Sequence, residues 1–445
     1  MKRISVAGLG FVGLSTAVFF ADKGYQVFAS TNDKTKVNLT RKGKTPFFEP
    51  ELEQALKRTV EKGTLKPVLG RSKAISEADV IFVTVGTPSL SDGAANLEFM
   101  KETAKEIGKA MKEKKHYQLI VVKSTVPPGT TENVVKPILE KHSGKRAGKD
   151  FGLTMSPEFL REGSSLYDVS NPDRILIGEL DERSGDTLEE LNREAYRNKV
   201  PILRMSLASA EFAKYASNCF LANKISFMNE MASICERIPK VDVTDIAKAM
   251  GLDPRIGKEF LKAGAGWGGS CFPKDTKALV SIAKSLGYTP RLVKNVIAVN
   301  TDQAKRMVEI AEEELGDLKQ KNVAVLGLSF KPDTDDIREA PSLRIIELLL
   351  AKGAKVIAFD PVATENARRV LGNRIDYAKD VSECLRNADC CMLVTEWSVF
   401  KKLRPEDFTR SMRKPILIDG RRIYDPKEFS RKLKLRAIGL NKFTW

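Results

Sequence analysis

Gly8, Gly10 and Gly13 stand between a short apolar run, Ile4-Ser5-Val6-Ala7, and a helix-forming run over residues 14–23. No other feature constrains the fold as much. A Gly24-Tyr25 turn follows, then a second apolar run over residues 26–30. Strand, glycine turn, helix and strand within about 30 residues read as a βαβ unit, and such units build parallel sheets. The three glycines allow a tight turn, close approach of a pyrophosphate and close helix–strand packing, while the helix N-terminus supplies N–H donors. A dinucleotide site around Gly8, Gly10, Phe11, Val12 and Gly13 is therefore expected.

The end of the second strand departs from the usual pattern. An acidic residue about 20 residues on normally holds the adenosine ribose hydroxyls. Thr31 stands in that place, within Ser30-Thr31-Asn32-Asp33-Lys34. Loss of the carboxylate removes repulsion against a 2′-phosphate, and Lys34 or Lys36 could attract one. Asp33 could also substitute from two residues on. NAD is the expected cofactor, with NADP left open.

Further strands read over residues 80–85 and 119–123. The last third repeats the pattern. Val323-Ala324-Val325-Leu326-Gly327 opens a strand and loop, a helix follows over residues 343–350, and a strand covers residues 355–359. The segment 388–395 parallels 78–84, and 416–419 parallels 119–123. The expected fold class is α/β, with two Rossmann-like doubly wound parallel-sheet domains joined by a long central helix. Residues 206–238 contain no Gly or Pro and carry apolar residues on more than one side, which predicts that helix. The expected domains are 1–205 (dinucleotide-binding), 206–300 (helical, dimerising) and 301–445 (second Rossmann-like unit). A long shared helix suits a homodimer or higher homo-oligomer.

Composition narrows the function. The 445 residues suit about three domains. No run of about 18 uncharged apolar residues exists, and the N-terminus lacks the apolar core of a secretory signal, so a cytoplasmic protein without a membrane role is expected. The net charge of +16 comes from scattered Lys and Arg interleaved with acids, without a nucleic-acid module, and suits anionic small ligands instead. The only histidines, His116 and His142, lie outside any motif, so proton chemistry falls to Lys, Asp, Glu or water. The six cysteines form no CxxC pair and no zinc-spaced cluster, so no metal site is expected.

One cysteine differs from the rest. Cys271 closes the loop Gly264-Ala265-Gly266-Trp267-Gly268-Gly269-Ser270 and precedes Phe272-Pro273-Lys274-Asp275. Buried structural cysteines favour apolar strands, as Cys390 and Cys391 do. Cys271 lies among glycines and polar residues, where an exposed, reactive thiolate is expected.

The stretch from Phe260 to Asp275 resembles the catalytic-cysteine signature of the UDP-glucose 6-dehydrogenase family. The resemblance runs along nearly the whole chain. It takes in the Gly8 fingerprint, Gly86-Thr87-Pro88, Ser124-Thr125-Val126-Pro127, Pro157-Glu158-Phe159-Leu160-Arg161-Glu162-Gly163, Asp173-Arg174, residues 211–230, Asp253-Pro254-Arg255-Ile256-Gly257, residues 330–338 and Asp419-Gly420-Arg421-Arg422. It implies oxidation of a sugar CH2OH to a carboxylate with a nicotinamide cofactor, the aldehyde being trapped by Cys271 as a thiohemiacetal and then a thioester. UDP-glucose is the implied substrate. UDP-galactose, GDP-mannose or a UDP-N-acetyl-hexosamine, a non-catalytic binding protein, and a dehydrogenase that stops at the aldehyde are the alternatives.

The resemblance also implies roles. Lys214 and Asn218, four residues apart on one helix face, would stabilise developing oxyanion charge. Glu158, Asp275 and Thr125 would share water activation and proton transfer. Thr31, Lys36, Thr87, Thr125, Glu162, Lys274 and Arg338 would meet the cofactor. Glu158, Phe159, Leu160, Arg161, Lys214, Asn218, Phe260, Leu261, Lys262, Gly264, Gly268, Lys331 and Arg421 would meet the sugar nucleotide, as would Arg255, reaching it from a neighbouring subunit.

Overall fold

The computed structural model describes residues 2–441. The chain divides into two compact units, Met1–Ser217 with Lys277–Ser285, and Asn218–Thr276 with Leu286–Trp445. The long helix Leu207–Cys235 begins in the first and continues into the second. It is 29 residues long and ends a few residues short of the expected stretch, before Pro239.

The first unit holds an eight-stranded sheet. Its strands are β1 (Ile4–Ala7), β2 (Val27–Thr31), β3 (Leu65–Leu69), β4 (Val80–Val83), β5 (Leu119–Val122), β6 (Gly152–Met155), β7 (Ile175–Glu179) and β8 (Ile202–Ser206). Their order is β3-β2-β1-β4-β5-β6-β7-β8. Strands β1, β4, β5 and β6 are buried along their whole length, because helices cover both faces of a parallel sheet and leave no solvent side for polar residues. Pro67 lies in edge strand β3, where a missing N–H costs no ladder bond. The pairing of β6 with β7 is antiparallel, a departure from the all-parallel expectation.

The second unit holds β9 (Asn322–Leu326), β10 (Lys355–Phe359), β11 (Asp376–Tyr377), β12 (Cys390–Leu393), β13 (Ile416–Asp419) and β14 (Lys434–Ala437), ordered β11-β10-β9-β12-β13-β14 and parallel throughout. The first six strands of the first sheet run in the equivalent order, so the repeat read from the sequence is a repeat of topology. In each sheet the order reverses beside the first strand, between β1 and β4 and between β9 and β12. Ligands of such sheets bind at that crevice, beyond the carboxyl ends of the strands. No helix among the described residues is long and apolar enough to cross a membrane.

Candidate active site

The glycine turn after β1 separates fold requirements from ligand requirements. Gly8 has φ +122°, and a Cβ there would lie 2.8 Å from the Thr84 carbonyl oxygen. A Cβ on Gly13 would lie 1.9 Å from the Gly8 carbonyl oxygen. Both glycines are demanded by the turn and by helix–strand packing. Around Gly10 a Cβ would meet nothing within 4 Å. That open space lies at the N-cap of helix Phe11–Asp22, whose first turn has neither a capping side chain nor an acidic residue. Uncapped helix amides facing open space suit a pyrophosphate. The dinucleotide therefore fits the residues present.

At the end of β2, Thr31 is buried. Asp33 does not take over the ribose position freely: its Oδ1 accepts from the Thr35 and Lys36 amides and caps helix Lys34–Arg41. The loops after β4 and β5 are tied together by Thr87 Oγ1, which donates to the Thr125 carbonyl at 2.7 Å.

The loop after β6 carries Glu158, Phe159, Leu160, Arg161 and Glu162. Glu49 accepts from the Gly163 and Ser165 amides, and Asp168 pairs with Arg161 at 2.6 Å, which fixes the loop's far end. Glu158 Oε2 accepts from the Leu160 amide. Its Oε1 lies 3.2 Å from Lys214 Nζ, and both side chains are under a tenth exposed. A buried ion pair of this kind needs each partner to remain, because removing one strands a desolvated charge. Lys214 also lies 5.1 Å from the centre of the Phe159 ring, and the Arg174 guanidinium lies 4.0 Å from it.

Two further charged groups of the first unit were not singled out from the sequence. Lys123 follows β5 directly. Burial first, then the neighbouring Lys214, pull its ammonium down to about 8 against the opposing effect of Glu158. A lysine closing an apolar strand at the carboxyl end of a parallel sheet was the available signal. Glu211, one turn before Lys214, is fully buried. It accepts from the Gly129 and Thr131 amides and from Thr131 Oγ1 at 2.5–2.7 Å, anchoring the segment that follows Thr125.

In the second unit Cys271 is the N-cap of helix Phe272–Ser285: its carbonyl accepts from the Asp275 amide at 2.8 Å. Its Sγ lies 3.4 Å from Ser270 Oγ. The other five cysteines are buried, whereas Cys271 is half-buried. Burial pushes the thiols of Cys219 and Cys384 up to about 12, and those of Cys390 and Cys391 further still. Asp275, 1% exposed, accepts from Asn218 Nδ2 at 2.6 Å and pairs with Lys274. Lys214 and Asn218 occupy successive turns of one helix, as their spacing requires.

The glycine loop ahead of Cys271 is held on several sides. The Gly264 amide donates to Asn229 Oδ1, Trp267 exchanges two backbone bonds with the Asn300 amide group, and the Gly269 amide donates to the Arg338 carbonyl. A Cβ on Gly264 would meet the Gly420 carbonyl at 2.5 Å, and one on Gly268 the Glu339 carbonyl at 2.3 Å. Arg421 donates to the Gly266 carbonyl at 2.9 Å, so it lies against this loop. Phe260 adopts φ +63° beside buried Leu261 and exposed Lys262. Arg338 is paired with Asp336 at 2.6 Å, and Lys331 lies 5.8 Å from the Phe330 ring. Arg255 is almost fully exposed and pairs with Asp253, and among the described residues it meets no other candidate site residue.

Comparison with known proteins bears on the fold and the family. Three domain models of one family match in sequence: the NAD binding domain of the UDP-glucose/GDP-mannose dehydrogenase family over residues 2–196, its central domain over 208–302 and its UDP binding domain over 324–426. A UDP-glucose 6-dehydrogenase of Bacillus subtilis is 42% identical, with 95% of this chain and 94% of the relative covered. One from Haloferax volcanii is 41% identical, with 96% and 98% covered. The structure of a UDP-glucose dehydrogenase from the hyperthermophilic archaeon Pyrobaculum islandicum superposes with a TM-score of 0.92 at 39% identity, covering 99% of this chain and 98% of that one. With all three domain models matched in order and full-length relatives on both sides, the chain belongs to the UDP-glucose/GDP-mannose dehydrogenase family.

Proposed function

We propose that the chain oxidises UDP-glucose to UDP-glucuronate in two successive two-electron steps, with NAD as acceptor and Cys271 as covalent nucleophile. The observation that carries this reading is the setting of Cys271. It is the half-buried cysteine among five buried ones, at a helix N-terminus that favours negative charge. The nicotinamide, when bound, supplies the two-electron acceptor.

The remaining chemistry belongs to the chain. The Cys271 sulfur bonds to the C6 aldehyde carbon, and the carbonyl oxygen takes a proton, giving a thiohemiacetal. Its oxidation leaves a thioester, which water cleaves to a carboxylate, returning the thiol. Lys214 and Asn218 place an ammonium and an amide donor where oxyanion charge develops. Glu158, Asp275 and Thr125 orient the water and hold the protons it releases. Gly8, Gly10, Phe11, Val12, Gly13, Thr31, Lys36, Thr87, Glu162, Lys274 and Arg338 hold the dinucleotide. Phe159, Leu160, Arg161, Arg255, Phe260, Leu261, Lys262, Gly264, Gly268, Lys331 and Arg421 hold the sugar nucleotide.

A homodimer in the cytoplasm, where thiols stay reduced, completes the proposal. Support for self-association comes from Phe220, Phe227 and Ile234, exposed at seven-residue spacing on the long helix. The test is a stoichiometric assay across UDP-glucose, UDP-galactose, GDP-mannose and UDP-N-acetyl-hexosamines. Two reduced cofactors per UDP-glucose and a UDP-glucuronate product are expected. No turnover of UDP-glucose, or one reduced cofactor with aldehyde release, overturns the reading.

A further inference from the structure

The missing carboxylate at Thr31 leaves open how this chain treats a 2′-phosphate. The parallel register pairs Thr31 with Leu69, and the Gly70 amide donates to the Thr31 carbonyl at 3.0 Å. Arg71, the next residue, therefore lies just past the end of β3, beside Thr31 and Asn32. Its side chain is 11% exposed, and its Nε is buried with no hydrogen-bond partner. Arg71 Nη1 donates to Glu106 Oε2 at 2.8 Å, and Asn32 Nδ2 donates to Glu106 Oε1 at 3.2 Å. Glu106 comes from helix Glu98–Met111, the helix that follows β4.

We infer that Glu106 is the cofactor-selectivity residue of this chain, supplying from a different helix the negative charge that β2 lacks and neutralising Arg71. The inference rests on the dinucleotide reading of the Gly8 turn. In dinucleotide folds the adenosine ribose lies over the end of the second strand, and an acid there admits the 2′-hydroxyl while rejecting a phosphate. With Glu106 present, a 2′-phosphate meets a carboxylate whose partner guanidinium is already engaged. Without it, the Arg71 guanidinium loses the partner that holds its Nη1, and guanidinium groups clamp phosphate oxygens in pairs. Asn32 stays as a hydroxyl-reading amide in either case.

The test is a fluorescence titration of the purified full-length chain with NADH and with NADPH, which needs no sugar substrate. The wild type is expected to bind NADH the more tightly. Glu106→Gln should move the NADPH-to-NADH affinity ratio at least tenfold toward NADPH, and adding Arg71→Ala should cancel that shift. Arg71→Ala alone should move the ratio the other way, by threefold or more, and stands independently should Glu106→Gln fold poorly. Because both ligands are titrated on one preparation, loss of folded protein cancels from the ratio. Unchanged ratios in both single variants, or a wild type that binds NADPH as tightly as NADH, overturn the inference. Binding of neither cofactor would instead refute the dinucleotide reading.

Discussion

Asn218 Nδ2 donates to Asp275 Oδ2 at 2.6 Å, and Asp275 stands one helical turn beyond Cys271, its amide bonded to the Cys271 carbonyl. The long helix is thereby joined to the helix that the cysteine caps. Asp275 is a buried carboxylate with two partners, Asn218 and Lys274. Asn218→Ala should cost about 1–3 kcal/mol, because it removes a donor from a desolvated charge. Asn218→Asp should be worse, since it sets two carboxylates against each other. Chemical denaturation of the two variants checks the order, and equal stability to wild type would contradict it.

Cys271→Ser should lower carboxylate formation by at least about three orders of magnitude while leaving NADH binding intact, since an alkoxide is a far poorer leaving group than a thiolate. Product analysis by mass spectrometry decides. UDP-glucuronate made by the variant at near wild-type rate would remove the covalent route.

Lys123 gives a pH signature. Its ordinary value of 10.5 falls to about 8 in the folded chain, through burial first and Lys214 second. The unfolded chain then holds more protons between those values, so this group makes stability rise with pH from about 8 to 10.5. Lys123→Met should stabilise the chain below pH 8 by up to about 2 kcal/mol and flatten that rise. Denaturation midpoints recorded from pH 7 to 10.5 test both parts.

Glu313 predicts the acid limb. Burial alone would raise its carboxyl, but Arg306 at 2.7 Å and Arg436 at 2.8 Å outweigh it and hold the group at about 2. A depressed carboxylate contributes stability above its unfolded value, 4.5, and loses it as pH falls toward 2. Arg436→Leu should raise the midpoint of acid unfolding, and circular dichroism during an acid titration measures it.

The exposed Phe220, Phe227 and Ile234 should make assembly sensitive to charge. Phe227→Glu is expected to give monomers in sedimentation at concentrations where the wild type is dimeric. A wild type that sediments as a monomer would end the dimer proposal.

The sequence by itself determined the alternation of strands and helices, the glycine turn, the second Rossmann-like repeat and the setting of Cys271. These are local: apolar runs, Gly spacing and helix-breaking residues act within a few turns of chain. The tertiary structure decided what lies far apart in sequence. The antiparallel β6–β7 pair, Lys123 beside Glu158, Glu211 on the Thr131 segment, and Glu106 on Arg71 and Asn32 join residues 35 to 80 positions apart, or strands whose pairing no local signal fixes. A charged residue's neighbours are set by where the sheet brings its strand end, and desolvation there changes its protonation and its partners. Thr31 shows the division. Its sequence position announced a missing carboxylate, and only the folded chain placed Glu106 against the neighbouring Asn32 and Arg71.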